Sequence, residues 1–250
     1  MAGTAVVATG CAGKRPVVDG PALARSVRAL VETGWNAVLV PPPAPPGSDL
    51  AGSLTLALGQ SRSGRRAVPV MTHTLVDPAD PALADPEAGA FPEPLAVLEA
   101  EAIAALVRSG FLVVVAGQGP VVPHGSVYRP VAGALDPAAT ARRLAGDLGA
   151  PALVFVAGDD GPLLPAGPAG ASGEIDVIEA ERLAGDAGPF AAELRAAVRF
   201  VRAGGELAVI TTPSKLPACL DGPASSRVLR VRRTVARPRS DAPLLAAGWC

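Results

Sequence analysis

The chain has 250 residues, a formal net charge of -1, and 49% hydrophobic residues with aromatics at only 3%. That length supports one large α/β domain or two small ones, with a core built from Ala, Val and Leu. The balanced charge excludes a global pull toward nucleic acid or anionic lipid. The three cysteines, Cys11, Cys219 and Cys250, are too scattered for a disulfide framework or a zinc site.

Short Val-rich runs alternate with stretches at helical spacing. Thr4–Thr9 reads as a buried strand, and Pro21–Thr33 as a helix with Leu23, Val27, Leu30 and Val31 on one face. Asn36–Val40 is the next strand, stopped by the proline run Pro41–Pro46. Leu50–Gln60 reads as a helix and Ala67–Val76 as a strand. Over Pro92–Ser109 the apolar positions Leu95, Leu98, Ile103, Leu106 and Val107 share a stripe, which predicts one long helix. Phe111–Ala116 is an apolar run without alternation, as expected of a strand covered on both faces. Pro137–Leu148 is a helix with Pro in its first turn. Then come a strand at Ala152–Ala157, a Pro/Gly loop at 161–173, and helices at Val177–Ala184 and Phe190–Ala203. Glu206–Thr211 reads as a strand, and Arg227–Val235 as a final, exposed strand.

This alternation predicts an α/β fold, a three-layer α/β/α sandwich around a mostly parallel central sheet. The expected domain covers residues 1–231, with an Arg/Pro/Ala-rich tail at 232–250. The N-terminus lacks a basic segment followed by a long apolar run, and no apolar stretch reaches the about 20 residues that span a bilayer. A reduced, cytoplasmic chain is therefore expected.

Several segments carry a family pattern. Met71–Leu83, MTHTLVDPADPAL, resembles the carbamate kinase family, in which a Thr-Gln strand runs into an Asp-Pro-x-Asp-Pro-Ala-Phe loop. Pro92–Gly119 resembles that family's Pro-rich helix start, its Glu-Ala-Ile helix and the strand leading to a glycine-rich turn. Leu135–Leu148 resembles its Ile-Asp-Lys-Asp helix, Gly188–Ile210 its Gly-Ser-Met-Gly-Pro-Lys helix and following strand, and Gly222–Val228 its closing Gly-Thr-Arg-Ile. The matches run in the family's order over about residues 4–230. The resemblance implies the amino acid kinase fold, a homodimer, ATP or ADP with Mg²⁺ at one half of a cleft, and a small acid as phosphate acceptor at the other. It also implies that a small protruding subdomain and part of the acceptor-side loop are missing.

Phosphoryl transfer needs positive charge and backbone N–H groups around the moving phosphoryl. The family's Gly-Gly-Asn is here Gly10-Cys11-Ala12, and its His-Gly-Asn-Gly is the proline run, which cannot form a glycine nest. Ile-Asp-Lys-Asp becomes Leu135-Asp136-Pro137-Ala138, and Gly-Pro-Lys becomes Ala191-Ala192-Glu193, a carboxylate in place of an ammonium. In the acceptor loop the expected Lys falls near Ala88. Of the 22 basic residues only Lys14 and Lys215 are lysines. Normal kinase catalysis is therefore not expected, and the chain reads as a pseudoenzyme acting as a small-molecule-binding or partner subunit.

The resemblance leaves Gly10, Gly117, Gly119, Asp159, Asp160 and Gly161 as nucleotide- or phosphate-binding candidates, and Asp77 and Asp80 as acceptor-side candidates with a turn-capping alternative. Lys14, Cys11 and His73 are the catalytic candidates. Gly13-Lys14 lacks the Walker A spacing, but Lys14 could replace a lost charge in a diverged active kinase. Cys11 in the first glycine turn and His73 at the family's Gln position could serve a different chemistry. Their structural alternatives are a small buried residue and a histidine in a polar slot. His124 is expected in a solvated loop, and the two histidines have no metal-ligand spacing. Arg227–Arg239 contains six arginines without interleaved aromatics, and reads as a charged edge strand rather than a nucleic-acid site.

Overall fold

The computed structural model describes residues 3–9, 20–42, 49–59, 65–84, 93–132, 135–157, 173–185, 190–221 and 229–232. Its strands are β1 (Thr4–Thr9), β2 (Asn36–Val40), β3 (Ala67–Val76), β4 (Pro94–Val97), β5 (Leu112–His124), β6 (Val127–Pro130), β7 (Ala152–Val156), β8 (Glu174–Asp176), β9 (Leu207–Thr211) and β10 (Leu229–Arg232). Its helices are α1 (Gly20–Glu32), α2 (Leu50–Gly59), α3 (Ala100–Arg108), α4 (Pro137–Asp147), α5 (Val177–Gly185) and α6 (Ala191–Arg202). Short 3-10 turns occupy Pro81–Leu83 and Pro213–Ala218.

One sheet runs in the order β4-β3-β5-β2-β1-β7-β9-β10-β8, with β6 paired to the far end of β5. The six strands from β3 to β9 in that order are mutually parallel, while β4, β6 and β10 pair antiparallel to β3, β5 and β9. Because side chains alternate across a strand, each central run serves two cores. Val6, Val38, Val113 and Phe155 pack in the layer of α3, α4, α5 and α6. Val7, Leu39, Val114 and Val154 pack under α1, α2 and the 3-10 turn Pro213–Ala218. The result is the expected three-layer α/β/α sandwich. It explains why the strand sequences show no polar alternation: both faces are dry.

Three expectations are corrected. The segment read as one helix from Pro92 to Ser109 is β4 followed by α3. Thr74 and Leu75 of β3 pair with Val97 and Ala96, and the Asp147 carboxylate on α4 accepts the Val97 N–H at 2.9 Å. Leu95, placed on the helical stripe, is 45% exposed. Pairing with β3 overrides the helical period.

The strand read as Phe111–Ala116 continues to His124 and turns back through Gly125 (φ 61) into β6. His124 thus ends a strand rather than lying in a loop. Gly117 (φ 69) is a bulge, since Met71 opposes Ala116 and Thr72 opposes Gln118.

The final strand is interior, not an exposed edge. β10 lies between β9 and β8, Val231 is fully buried, and Arg230 donates from Nε and Nη2 to the Cys219 carbonyl at 3.1 and 2.8 Å. The guanidinium is a structural donor here rather than an edge guard.

Phe155→Ala, at the middle of the sheet, is expected to lower unfolding free energy by about 3–5 kcal/mol, whereas Leu95→Ala should cost less than about 1 kcal/mol. Urea denaturation of the two variants checks both values. A large loss in Leu95→Ala would restore the single-helix reading.

Candidate functional site

The sheet order turns around β1: the chain moves from β1 to β2 on one side and returns later to β7 on the other. Such a reversal opens a crevice beyond the carboxyl ends of the strands. Thr9, Val40, Val156 and Thr211 stand at those ends, on β1, β2, β7 and β9. Pro41 is buried directly after β2 and Pro42 follows, so neither position offers an N–H to a ligand. Gly10, Cys11 and Lys14 after β1, Asp159, Asp160 and Gly161 after β7, and the remainder of the proline run lie outside the described residues. So do Ala88 and the segment at 161–172.

Helices α4 and α6 precede the parallel strands β7 and β9, so their first turns face the same crevice edge. Asp136 caps α4, with its Oδ1 accepting the Ala138 N–H at 2.9 Å and Pro137 in the first turn. Glu193 lies in the first turn of α6 and is 1% exposed, yet among the described residues no other residue donates a hydrogen bond to its carboxylate oxygens. Burial pushes its pKa up to about 7, the charge of Asp136 pushes it further the same way, and its own backbone amide and Arg195 only partly oppose them. An ammonium beside Asp136 would be paired. A carboxylate there is repelled.

Asp77 and Asp80 are tied into a turn. The Ala79 N–H reaches Asp77 Oδ1 at 2.9 Å, and Asp80 caps Pro81–Leu83 by accepting the Ala82 N–H at 2.9 Å on Oδ1. Asp80 Oδ2 accepts the Glu93 N–H at 3.1 Å, and the Glu93 carboxylate bridges Arg142 on α4 and Arg199 on α6. Burial lowers the Arg142 pKa, and the Glu93 charge opposes that shift. These acids therefore fasten the loop to the helical layer.

His73, half exposed on β3, is held twice by Glu99: its Nδ1 lies 2.8 Å from Oε1, and its backbone N–H donates to Oε2 at 2.7 Å. A neutral ring donating from Nδ1 keeps a lone pair on Nε2. Glu99, which falls inside the segment read as one long helix, carries no sequence signal of its contact with β3; it stands at the N-cap of α3 instead. Gly119 pairs with His73 across β3 and β5 and has open space where a side chain would stand. At Gly117 an added Cβ would come 2.7 Å from the Met71 methyl, and Thr72 donates to the Gly117 carbonyl at 2.6 Å. Bulge geometry, not a strand–loop turn, thus requires glycine at 117. Lys215 is exposed on the 3-10 turn after β9. Among the described residues no group of three or more His, Cys, Asp or Glu side chains could hold a metal ion.

Comparison with known proteins decides the family. The chain is 30% identical over 207 residues to carbamate kinase of Halobacterium salinarum, covering 66% of this chain and 67% of that protein. The chain is a carbamate kinase-like member of the amino acid kinase family. It is also 31% identical over 150 residues to the carbamate kinase-like protein YahI of Escherichia coli, a match over 56% of this chain and about half (48%) of that relative. The structure of Giardia carbamate kinase superposes with a TM-score of 0.75 at 21% identity, over 93% of this chain and 99% of that one. N-acetylglutamate synthase of Neisseria gonorrhoeae superposes with a TM-score of 0.61 at 17% identity, over 92% of this chain and 61% of that one. No family model matches.

The carbamate kinase-like framework is thus retained, while its α6 position carries Glu193. Glu193 holds its proton more tightly folded (pKa about 7) than unfolded (about 4.5), so its stabilising share is full below 4.5 and is lost as pH rises through 7. Glu193→Gln removes this slope and should be more stable than the parent above neutrality by about 3 kcal/mol. Denaturant midpoints from acid to mildly alkaline pH read the difference, and parallel profiles for the two proteins would refute it.

Proposed function

We propose that this carbamate kinase-like chain has given up ordinary phosphoryl transfer and serves as a small-molecule-binding or partner subunit. The observation that carries this reading is Glu193: a buried carboxylate without a partner, beside Asp136, at the position where the resemblance puts an ammonium. Removing one well-placed charge-stabilising group from a transfer site costs on the order of 3 kcal/mol, about a hundredfold or more in rate. Here the charge is reversed, and prolines stand where glycine amides are expected.

One finding favours a second reading, a diverged active kinase acting on carbamate or another small acid. The relative at 30% identity is named carbamate kinase, and a Giardia carbamate kinase has been solved bound to AMP-PNP. In that reading Lys14, arginines or Mg²⁺ supply the charge. A third reading, different chemistry at Cys11 or His73, draws support from the His73–Glu99 pair, which orients the ring as an acid or base.

Self-association, as a homodimer in the cytoplasm, belongs to the same proposal. The exposed apolar residues Leu56, Met71, Leu95, Val127 and Tyr128 lie on α2, β3, β4 and β6, and neither α2 nor β3 contains a charged residue. A dimer in sedimentation equilibrium, weakened by Met71→Asp, is expected; a monomer at all concentrations would remove this part.

Function is tested by calorimetric titration with ATP and ADP, with and without Mg²⁺, and by an assay of ATP formation from carbamoyl phosphate and ADP. Ligand binding or partner capture with turnover at least about a thousandfold below ordinary enzymatic rates is expected. Ordinary turnover, abolished by Lys14→Ala, would establish the second reading instead.

A further inference from the structure

Helix α6 packs against α4 and α5 and over β7, β9 and β10. The charged group that reaches Glu193 from α4 is Asp136, and the one on its own helix is Arg195. On α5, half-buried Glu179 is paired with exposed Arg182, and exposed Glu181 with exposed Arg202 in the last turn of α6. Strands β7, β9 and β10 present Phe155, Ile210 and Val231 to this layer. Among the described residues, then, no cation contacts the Glu193 oxygens, and with 1% exposure the species small enough to neutralise them in place is a proton.

The first turn of α6 lacks a side-chain cap. Phe190 at its N-cap makes no side-chain cap bond, so the turn depends on backbone bonds such as Leu194 N–H to the Phe190 carbonyl at 2.9 Å. Leu194 and Ala196 hold this turn in the core, as Ala197, Val198, Phe200 and Val201 hold the later ones. Unfavourable charge at Glu193 therefore acts on a buried turn whose first amides have no side-chain cap.

We propose that Glu193 is a proton-operated latch: when neutral it lets the first turn of α6 dock beside Asp136 at the crevice edge, and when it releases its proton to solvent the turn opens to hydrate the carboxylate. The rest of α6 stays docked in both states. The latch goes beyond the reading of function above and holds whether or not the chain binds nucleotide.

Hydrogen exchange on the full chain tests it, following the amides of residues 191–196 at about pH 6 and about pH 8 after correction for intrinsic rates. With the acid's proton affinity higher in the docked state, protection of this turn should fall about tenfold across that interval, while α1 amides stay constant. Glu193→Gln should abolish the change. Asp136→Asn keeps an N-cap acceptor but removes the repelling charge, and should move the transition to lower pH. An unchanged turn in the parent protein, or the same pH response in Glu193→Gln, overturns the latch. Should Glu193→Gln not fold, an unshifted transition in Asp136→Asn overturns it equally.

Discussion

Parallel pairing governs this molecule. Parallel strands cannot be joined by tight turns, so each neighbour must be reached by a crossover that returns the chain to the starting edge of the sheet. The crossovers here are helices, and those leading into β7 and β9 set down the first turns of α4 and α6 at the carboxyl edge of the parallel strands. The crevice, its helix termini and its two carboxylates all follow from that connectivity. Small aliphatic side chains make it affordable, because Val and Ala runs such as β1 can face two cores at once.

Against this framework the electrostatics divide. On the outer side, acids are used as fasteners: Asp80 holds the Glu93 amide, Glu93 spans Arg142 and Arg199, and Asp147 grips the backbone of β4. Every one of these carboxylates has a donor. At the crevice edge Asp136 keeps the Ala138 N–H as donor, while among the described residues no other residue donates to Glu193. A buried charge without a partner is among the more expensive features a fold can carry. The resemblance puts a lysine at this helix terminus, which is why the proposed function is built on Glu193.

Much of the fold was legible because burial on two faces leaves a strong mark. β1, β2 and β3 appear with their sequence-derived limits, and α1, α4 and α6 within a residue or so, since uninterrupted Val runs and 3.6-residue stripes are read without knowledge of partners. Most failures share a cause. β4, β8 and the interior position of β10 depend on pairing with distant segments, which local periodicity does not encode. β6, by contrast, is the return arm of a local hairpin turned at Gly125. Leu95 and Leu98 fit a helical stripe equally well until β3 claims them.

The site was legible in a different way. The resemblance suggests a glutamate in place of a lysine, but not the isolation of Glu193 or its proximity to Asp136, both of which are tertiary. Glu99 as the holder of His73 was missed for the same reason. On the proposed reading, the crevice edge formed by α4 and α6 holds no transferable phosphate. A crystal structure with a non-hydrolysable ATP analogue and Mg²⁺ at saturating concentration decides it: the expected result is no terminal phosphate within hydrogen-bonding distance of the first turn of α6. A terminal phosphate seated there, with Glu193 turned aside, would contradict it.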